Sequence, residues 1–259
     1  MEKKLKSWQG WLLFGGTMVV VFVLGMIAAS VNERHAEVTS VMNNKKTEIT
    51  GIEARNDKFE PNYPREYQTW EATADTSFKS LYNGNQAVDV LEARPEMVIL
   101  WAGYAFSKDY STPRGHMYAI EDMRNTLRVG APMTENEGPQ PATCWTCKSP
   151  NVPRMMQAMG VDNFYKGKWA SLGKEIVNPI GCADCHEPEN MNLHISRPAL
   201  IEAFQRQGKD ITKATQQEMR SLVCAQCHVE YYFKGDGKYL TFPWDKGSTV
   251  EDMEAYYDE

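Results

Sequence analysis

CWTCK at 144–148, CADCH at 182–186 and CAQCH at 224–228 hold all six cysteines of this 259-residue chain. Cys144 and Cys147, Cys182 and Cys185, and Cys224 and Cys227 are each three positions apart. His186 and His228 directly follow two of the pairs. Cys-x-x-Cys-His is the attachment motif of c-type haem. Two thiols so spaced add to the two vinyl groups of one haem, and the following histidine presents its imidazole to the iron. With five histidines in 259 residues, chance alone would place one after two of three such pairs in roughly one chain in a thousand. Structural zinc would need pairs roughly 15–20 residues apart, two to a metal, and three pairs do not divide that way. Disulfides suit an exported chain but leave the two histidines unexplained. A thiol redox motif would normally occur once, in a βαβ setting. The spacing therefore predicts three covalent haem c groups.

The exception is Lys148, which stands where the other motifs have histidine. An ammonium cannot ligate iron, so a ligating lysine must be held neutral by burial beside the metal. Axial-ligand identity is a main control on haem chemistry. A lysine-ligated iron would differ from its neighbours and could keep its opposite face open.

Outward from the motifs, thirteen prolines lie between 61 and 243, and none precedes them. Proline this dense breaks a chain into short helices joined by ordered loops. Helices are expected near 86–94, 117–128, 152–160, 198–208 and 212–225, with no convincing series of alternating strands. The fold class expected is mainly α, with short helices and long ordered loops.

Residues 11–30 carry no charge and follow Lys3, Lys4 and Lys6. Twenty such residues at about 1.5 Å rise match a hydrocarbon core of about 30 Å. The basic flank should stay cytoplasmic, which places the rest of the chain on the outer side. Residues 1–30 read as an uncleaved anchor, or as a signal peptide cut near Ala28-Ala29-Ser30. The polar stretch 31–60 reads as a linker, and 61–259 as the haem-bearing domain. A net charge of -6 gives no support to nucleic-acid binding, which shows as a basic patch or stripe.

CWTCK followed by two CxxCH sites resembles the N-terminal half of the pentahaem cytochrome c nitrite reductases. So do NYPREY at 62–67, VILWAGYAFSKDYSTPRGHMYA at 98–119, NTLRVGAP at 125–132, SRPAL at 196–200 and CAQCHVEYYF at 224–233. The resemblance covers roughly residues 60–259 and implies six-electron reduction of nitrite to ammonia in the periplasm. It implies that Lys148 is the proximal ligand of the active-site haem, that His186 is proximal on the second haem, and that His228 and His116 are the proximal and distal ligands of the third. Arg128 and Tyr231 match the family's active-site arginine and tyrosine. Glu230 and the carbonyl of Tyr231 match calcium ligands, and oxygen donors suit that hard cation. A guanidinium can orient the oxygens of an anion such as nitrite. His35, in the linker, and His194 carry no role from the resemblance, and an ordinary polar contact is expected of His194.

Members of that family are about twice as long and carry two more CxxCH motifs. Their catalytic histidine, the other calcium ligands, the distal ligand of the second haem and the dimer-forming helices would fall beyond residue 259. The chain is thus expected to be a fragment, a short product, or one that draws its remaining haems from another subunit. The family also implies a quinol-oxidising cytochrome as electron donor, and a homodimer where the C-terminal half is present. A different reading is a membrane-anchored triheme carrier without catalysis of its own. Lys148 argues against it, because a carrier gains nothing from an open iron. A related multihaem enzyme acting on hydroxylamine or sulfur oxyanions is the third.

Overall fold

The computed structural model describes residues 7–79, 85–127 and 140–259. The chain divides after Lys46 into two units. The first is dominated by one helix, Ser7–Asn43. No proline interrupts it, and its apolar side chains, among them Trp11 and Phe22, are exposed. The span Ser7–Ser40 is long and apolar enough to cross a membrane. The helix runs well into the stretch expected as a linker. Beyond it, the Asn44 amide N–H donates to the Ser40 carbonyl, as does the Asn44 side chain at 2.8 Å.

The second unit begins at Thr47, whose backbone exchanges two hydrogen bonds with the Asn62 carboxamide at 3.0 and 2.7 Å. From there the fold is short helices joined by loops, as the proline density predicts. The expected helix at 86–94 is realised as Val90–Ala93. Asp89 caps its start by accepting from the amides of Leu91 and Glu92, and Pro95 follows its end. The one expected at 117–128 appears as Ala119–Asn125 behind a 3-10 turn at His116–Tyr118, and residue 128 lies outside the described residues. Asn151–Met159 ends at Gly160, whose φ of 86° a side chain would oppose. Pro198–Arg206 carries proline in its first turn, where a missing N–H costs nothing. Gln216–Ala225 starts at a capping box, with Thr215 and Glu218 satisfying each other's amides. Helices at Pro64–Glu71, Glu96–Leu100, Val161–Lys166, Trp169–Leu172 and Val250–Tyr257 add to the expected set.

Among the described residues the sheet is a single antiparallel hairpin, Tyr232–Lys234 with Tyr239–Thr241, in which Phe233 faces Leu240. It carries Leu240 into the core, and Phe242 and Trp244 follow it there. The rest of that core includes Trp145, Val152, Met155, Met156, Phe164, Tyr165, Trp169, Ile176 and Leu200. Trp145 lies flat on Trp169, with ring centres 4.6 Å apart and planes 4° from parallel. Its indole N–H donates to the Trp169 carbonyl at 2.9 Å. The aromatic residue inside CWTC therefore anchors the first motif in the core.

Candidate haem centre

Each motif is a single turn, and local hydrogen bonds explain why. In CADCH the helix Cys182–Cys185 starts at Gly181, whose amide donates to the Asp184 carboxylate at 2.8 Å. A β-carbon at Gly181 would collide with the Asn56 carboxamide, whose oxygen accepts from the Cys182 amide at 2.9 Å. The His186 amide then donates to the Cys182 carbonyl at 2.8 Å, and the His228 amide to the Cys224 carbonyl at 2.9 Å. This i to i+4 bond sets both thiols and the imidazole on one turn. In CWTCK the turn is tighter. A 3-10 segment, Ala142–Trp145, leads in, and the Lys148 amide donates to the Trp145 carbonyl at 3.0 Å. Lys148 itself is half-buried.

His186 is oriented as a ligand would be. Its Nδ1 lies 2.8 Å from the Met191 carbonyl oxygen. As an Nδ1–H donor it leaves Nε2 to bind a metal. Met191 holds that carbonyl in place from a left-handed backbone, φ 59°, in a loop closed by the Met191 amide on the Glu187 carbonyl and the Glu187 amide on the Asn192 carbonyl.

His116 comes from far away in sequence to face His228. The two ring centres are 6.3 Å apart and the planes cross at 45°. Metal–imidazole bonds are about 2 Å long, so two imidazoles ligating one metal from opposite sides place their centres about 6 Å apart. His116 is held there by backbone contacts on either side. A β-carbon on Gly115 would collide with Thr73 and Asn85. The Met117 amide donates to the Thr73 hydroxyl at 3.2 Å, and the Tyr118 hydroxyl to the Ala74 carbonyl at 2.9 Å. Arg114 lies over the Tyr118 ring and pairs with Asp122 at 2.5 Å.

The first and third motifs also meet. The Cys147 and Cys227 thiols lie near each other; Cys227 lowers the Cys147 thiol to about 7, and Cys147 together with burial raises that of Cys227. Burial pushes Cys182 up to about 11 and Cys185 up to about 12. None of the six cysteines is in a disulfide. The Tyr165 hydroxyl is buried without a hydrogen-bond partner among the described residues, near Thr146 and Cys147. Free paired thiols, an imidazole with its outer nitrogen already engaged, and two imidazoles spaced for one metal together fit covalent haem.

The remaining predicted residues are less fully assembled. Tyr231 is 45% exposed, and its ring stacks on Phe233 at 5.9 Å. Glu230 is exposed and accepts from the Tyr257 hydroxyl at 3.4 Å. Among the described residues no group of three or more His, Cys, Asp or Glu side chains forms a metal cluster. Glu230 and the Tyr231 carbonyl would supply only part of the six to eight oxygens that calcium takes. Arg128 lies outside the described residues. His194 approaches the Ala183 carbonyl at 3.2 Å through Nε2, and His35 is exposed on the N-terminal helix. Asn56, Met191, Asp184, Gln226 and Arg197 were not anticipated. Each acts through a partner distant in sequence or through backbone atoms, and no spacing signals that.

A family model described as cytochrome c552 matches residues 55–259. The chain is 99% identical over 259 residues to a cytochrome c-552 of Parabacteroides distasonis, covering all of this chain and 52% of that protein. It is 72% identical to that of Porphyromonas gingivalis, again over 100% of this chain and 52% of the relative. It is 49% identical over 255 residues to that of Aliarcobacter butzleri, covering 95% of this chain and 49% of the relative. The chain spans about half the length of the curated relatives it matches. Among solved structures, the catalytic subunit of cytochrome c nitrite reductase from Desulfovibrio desulfuricans superposes with a TM-score of 0.75 at 33% identity, over 82% of this chain and 48% of that one. That protein is described with two calcium sites.

Proposed function

The chain belongs to the cytochrome c552 family, and from that premise we propose that it carries part of the apparatus of an ammonia-forming nitrite reductase. The observation that carries this reading is Lys148, an amine at the ligand position of a haem motif whose two counterparts have histidine. Cys144, Cys147 and Lys148 would hold one haem. Cys182, Cys185 and His186 would hold the second, and Cys224, Cys227, His228 and His116 the third. Bound haem c would supply the redox iron and the coordination position at which nitrite is reduced by six electrons.

The chain's own residues do the rest. Arg128 offers a fixed cation with a planar fork of donors, which orients the two oxygens of the anion and offsets its charge. Donors fixed in advance stabilise charge on those oxygens as the N–O bonds break, without reorganisation. Tyr231 supplies a hydroxyl for hydrogen bonding to substrate. Calcium, held in part by Glu230 and the Tyr231 carbonyl, would raise the positive potential nearby. His186, and His228 with His116, would hold the haems that relay electrons towards the first motif from a quinol-oxidising cytochrome. The segment 1–30 holds the assembly at the periplasmic face of the membrane, as an anchor or before cleavage, and a homodimer forms where the family's C-terminal half is present. His116 facing His228 supports the third haem site, and the hydrogen bonds that link Gln226 and Thr146 through Arg197 support its closeness to the first.

The test is nitrite turnover by the full-length haem-loaded protein with reduced viologen as donor. The parent should form ammonia. Lys148→His should retain the haem and lose most of that turnover. Undiminished ammonia formation by Lys148→His would mean that the lysine is incidental.

A further inference from the structure

All three haem motifs are tied together at the same internal position. The residue just before the second cysteine is Thr146 in the first motif, Asp184 in the second and Gln226 in the third. Each lies in one buried hydrogen-bond network around Arg197, a residue of none of the motifs. Arg197 is fully buried, and Asp184, Gln226 and Thr146 are at most 3% exposed.

The guanidinium spends its donors on two motifs and the turn after the first. Nε donates to the Thr146 carbonyl at 2.6 Å. Nη2 donates to the Asp184 carboxylate at 2.5 Å and to the Ser149 carbonyl at 3.0 Å, and Nη1 to the Ser196 hydroxyl at 2.6 Å. The third motif joins through its carboxamide. The Gln226 oxygen accepts from the backbone amides of Ser196 and Arg197 at 3.0 and 3.2 Å, and its nitrogen donates to the Asp184 carbonyl at 2.8 Å. The same nitrogen reaches the Cys185 sulfur at 3.9 Å.

We infer that Arg197 is a positioning residue, which fixes the three cysteine turns relative to one another and so sets the mutual placement of the groups attached to them. The inference rests on the reading that those turns carry haems. Each tied residue is bonded directly to a cysteine that forms one of the two links to its haem. A rotation of any turn would break a hydrogen bond in this network, and a buried group left unpaired there is costly. Arg197 is suited to the role because its donors form a rigid planar fork, and a lysine ammonium is a point charge on a flexible stem. None of the network's side chains is a ligand or a substrate contact in the proposed reaction. Its function is therefore geometric: it locks three redox sites into one register.

The experiment uses the full-length haem-loaded protein, with Arg197→Lys and Gln226→Met compared to the parent. Peptide mass mapping counts haem at each motif. Absorbance-monitored redox titration and electron paramagnetic resonance then report midpoints and the interactions between haems. Arg197→Lys keeps the charge but should not rescue. Haem stays attached at all three motifs, while the midpoints and resonance signals of at least two shift together. Gln226→Met should shift the second and third sites more than the first. If Arg197→Lys does not accumulate, Gln226→Met decides on the same readouts. Fully loaded variants with parental midpoints and spectra would overturn the inference and leave Arg197 a fold-holding residue only. A parent without haem at the motifs would instead overturn the reading on which the inference rests.

Discussion

Arg128 and Arg197 illustrate how differently one residue type can be used. Arg128 is proposed, from its match to the family's motif, to meet the substrate, where charge and fork would act on a small anion. In the full-length enzyme Arg128→Ala should lower kcat/KM for nitrite by about a hundredfold or more, the scale of losing one preorganised donor. Arg128→Lys should recover only part of it, because a point charge cannot hold two oxygens as a fork does. Parental kcat/KM in both variants would remove Arg128 from the site. Arg197 faces Asp184 inside the protein, with side-chain exposures of 0% and 4%. Removing one partner of such a pair strands the other charge. Arg197→Met should therefore cost about 3–5 kcal/mol of stability, and adding Asp184→Asn should return part of that. Chemical denaturation of the single and double variants checks this, and a double variant less stable than the single one would contradict it.

At the scale of elements, the sequence was legible wherever the signal is local. Each Cys-x-x-Cys pair and the residue after it lie within one turn, so the spacing foretold that local geometry before any tertiary contact was known. Pro198 marked the start of its helix, and Gly208 lies just beyond its end. The bounds that were misjudged are those set by caps. Asp89 delays the helix expected from 86, and Thr215 splits the stretch from 212 into a 3-10 turn and a helix. Thr215 caps the helix that delivers Cys224, so Thr215→Ala should lower stability by about 1 kcal/mol. Thermal unfolding of the haem-loaded protein would show it, and an unchanged midpoint would mean that packing alone holds this helix. The hairpin gave no strand signal because three-residue strands are too short for alternation to register. The Arg197 network was illegible for a different reason. It joins positions 146, 184, 197 and 226, and single-sequence patterns carry no information on which distant turns meet.

For the whole molecule, the three motifs meet in one buried hydrogen-bond network around Arg197, and two histidines from residues 116 and 228 come face to face. Residue spacing leads to the expectation of three haem sites, and the family resemblance to the expectation that His116 and His228 serve one of them. Only the folded chain supplies the 6.3 Å between those rings and the Arg197 hydrogen bonds that bring the first and third motifs together. The central claim is that Cys144/Cys147, Cys182/Cys185 and Cys224/Cys227 each carry a covalent haem. Its most direct test is mass spectrometry of the exported, matured protein with peptide mapping across residues 144–228. Thiol addition to a vinyl group expels no atoms, so each of the three motif peptides should be heavier by one whole haem. Unmodified motif peptides from a protein that instead binds zinc would contradict the account.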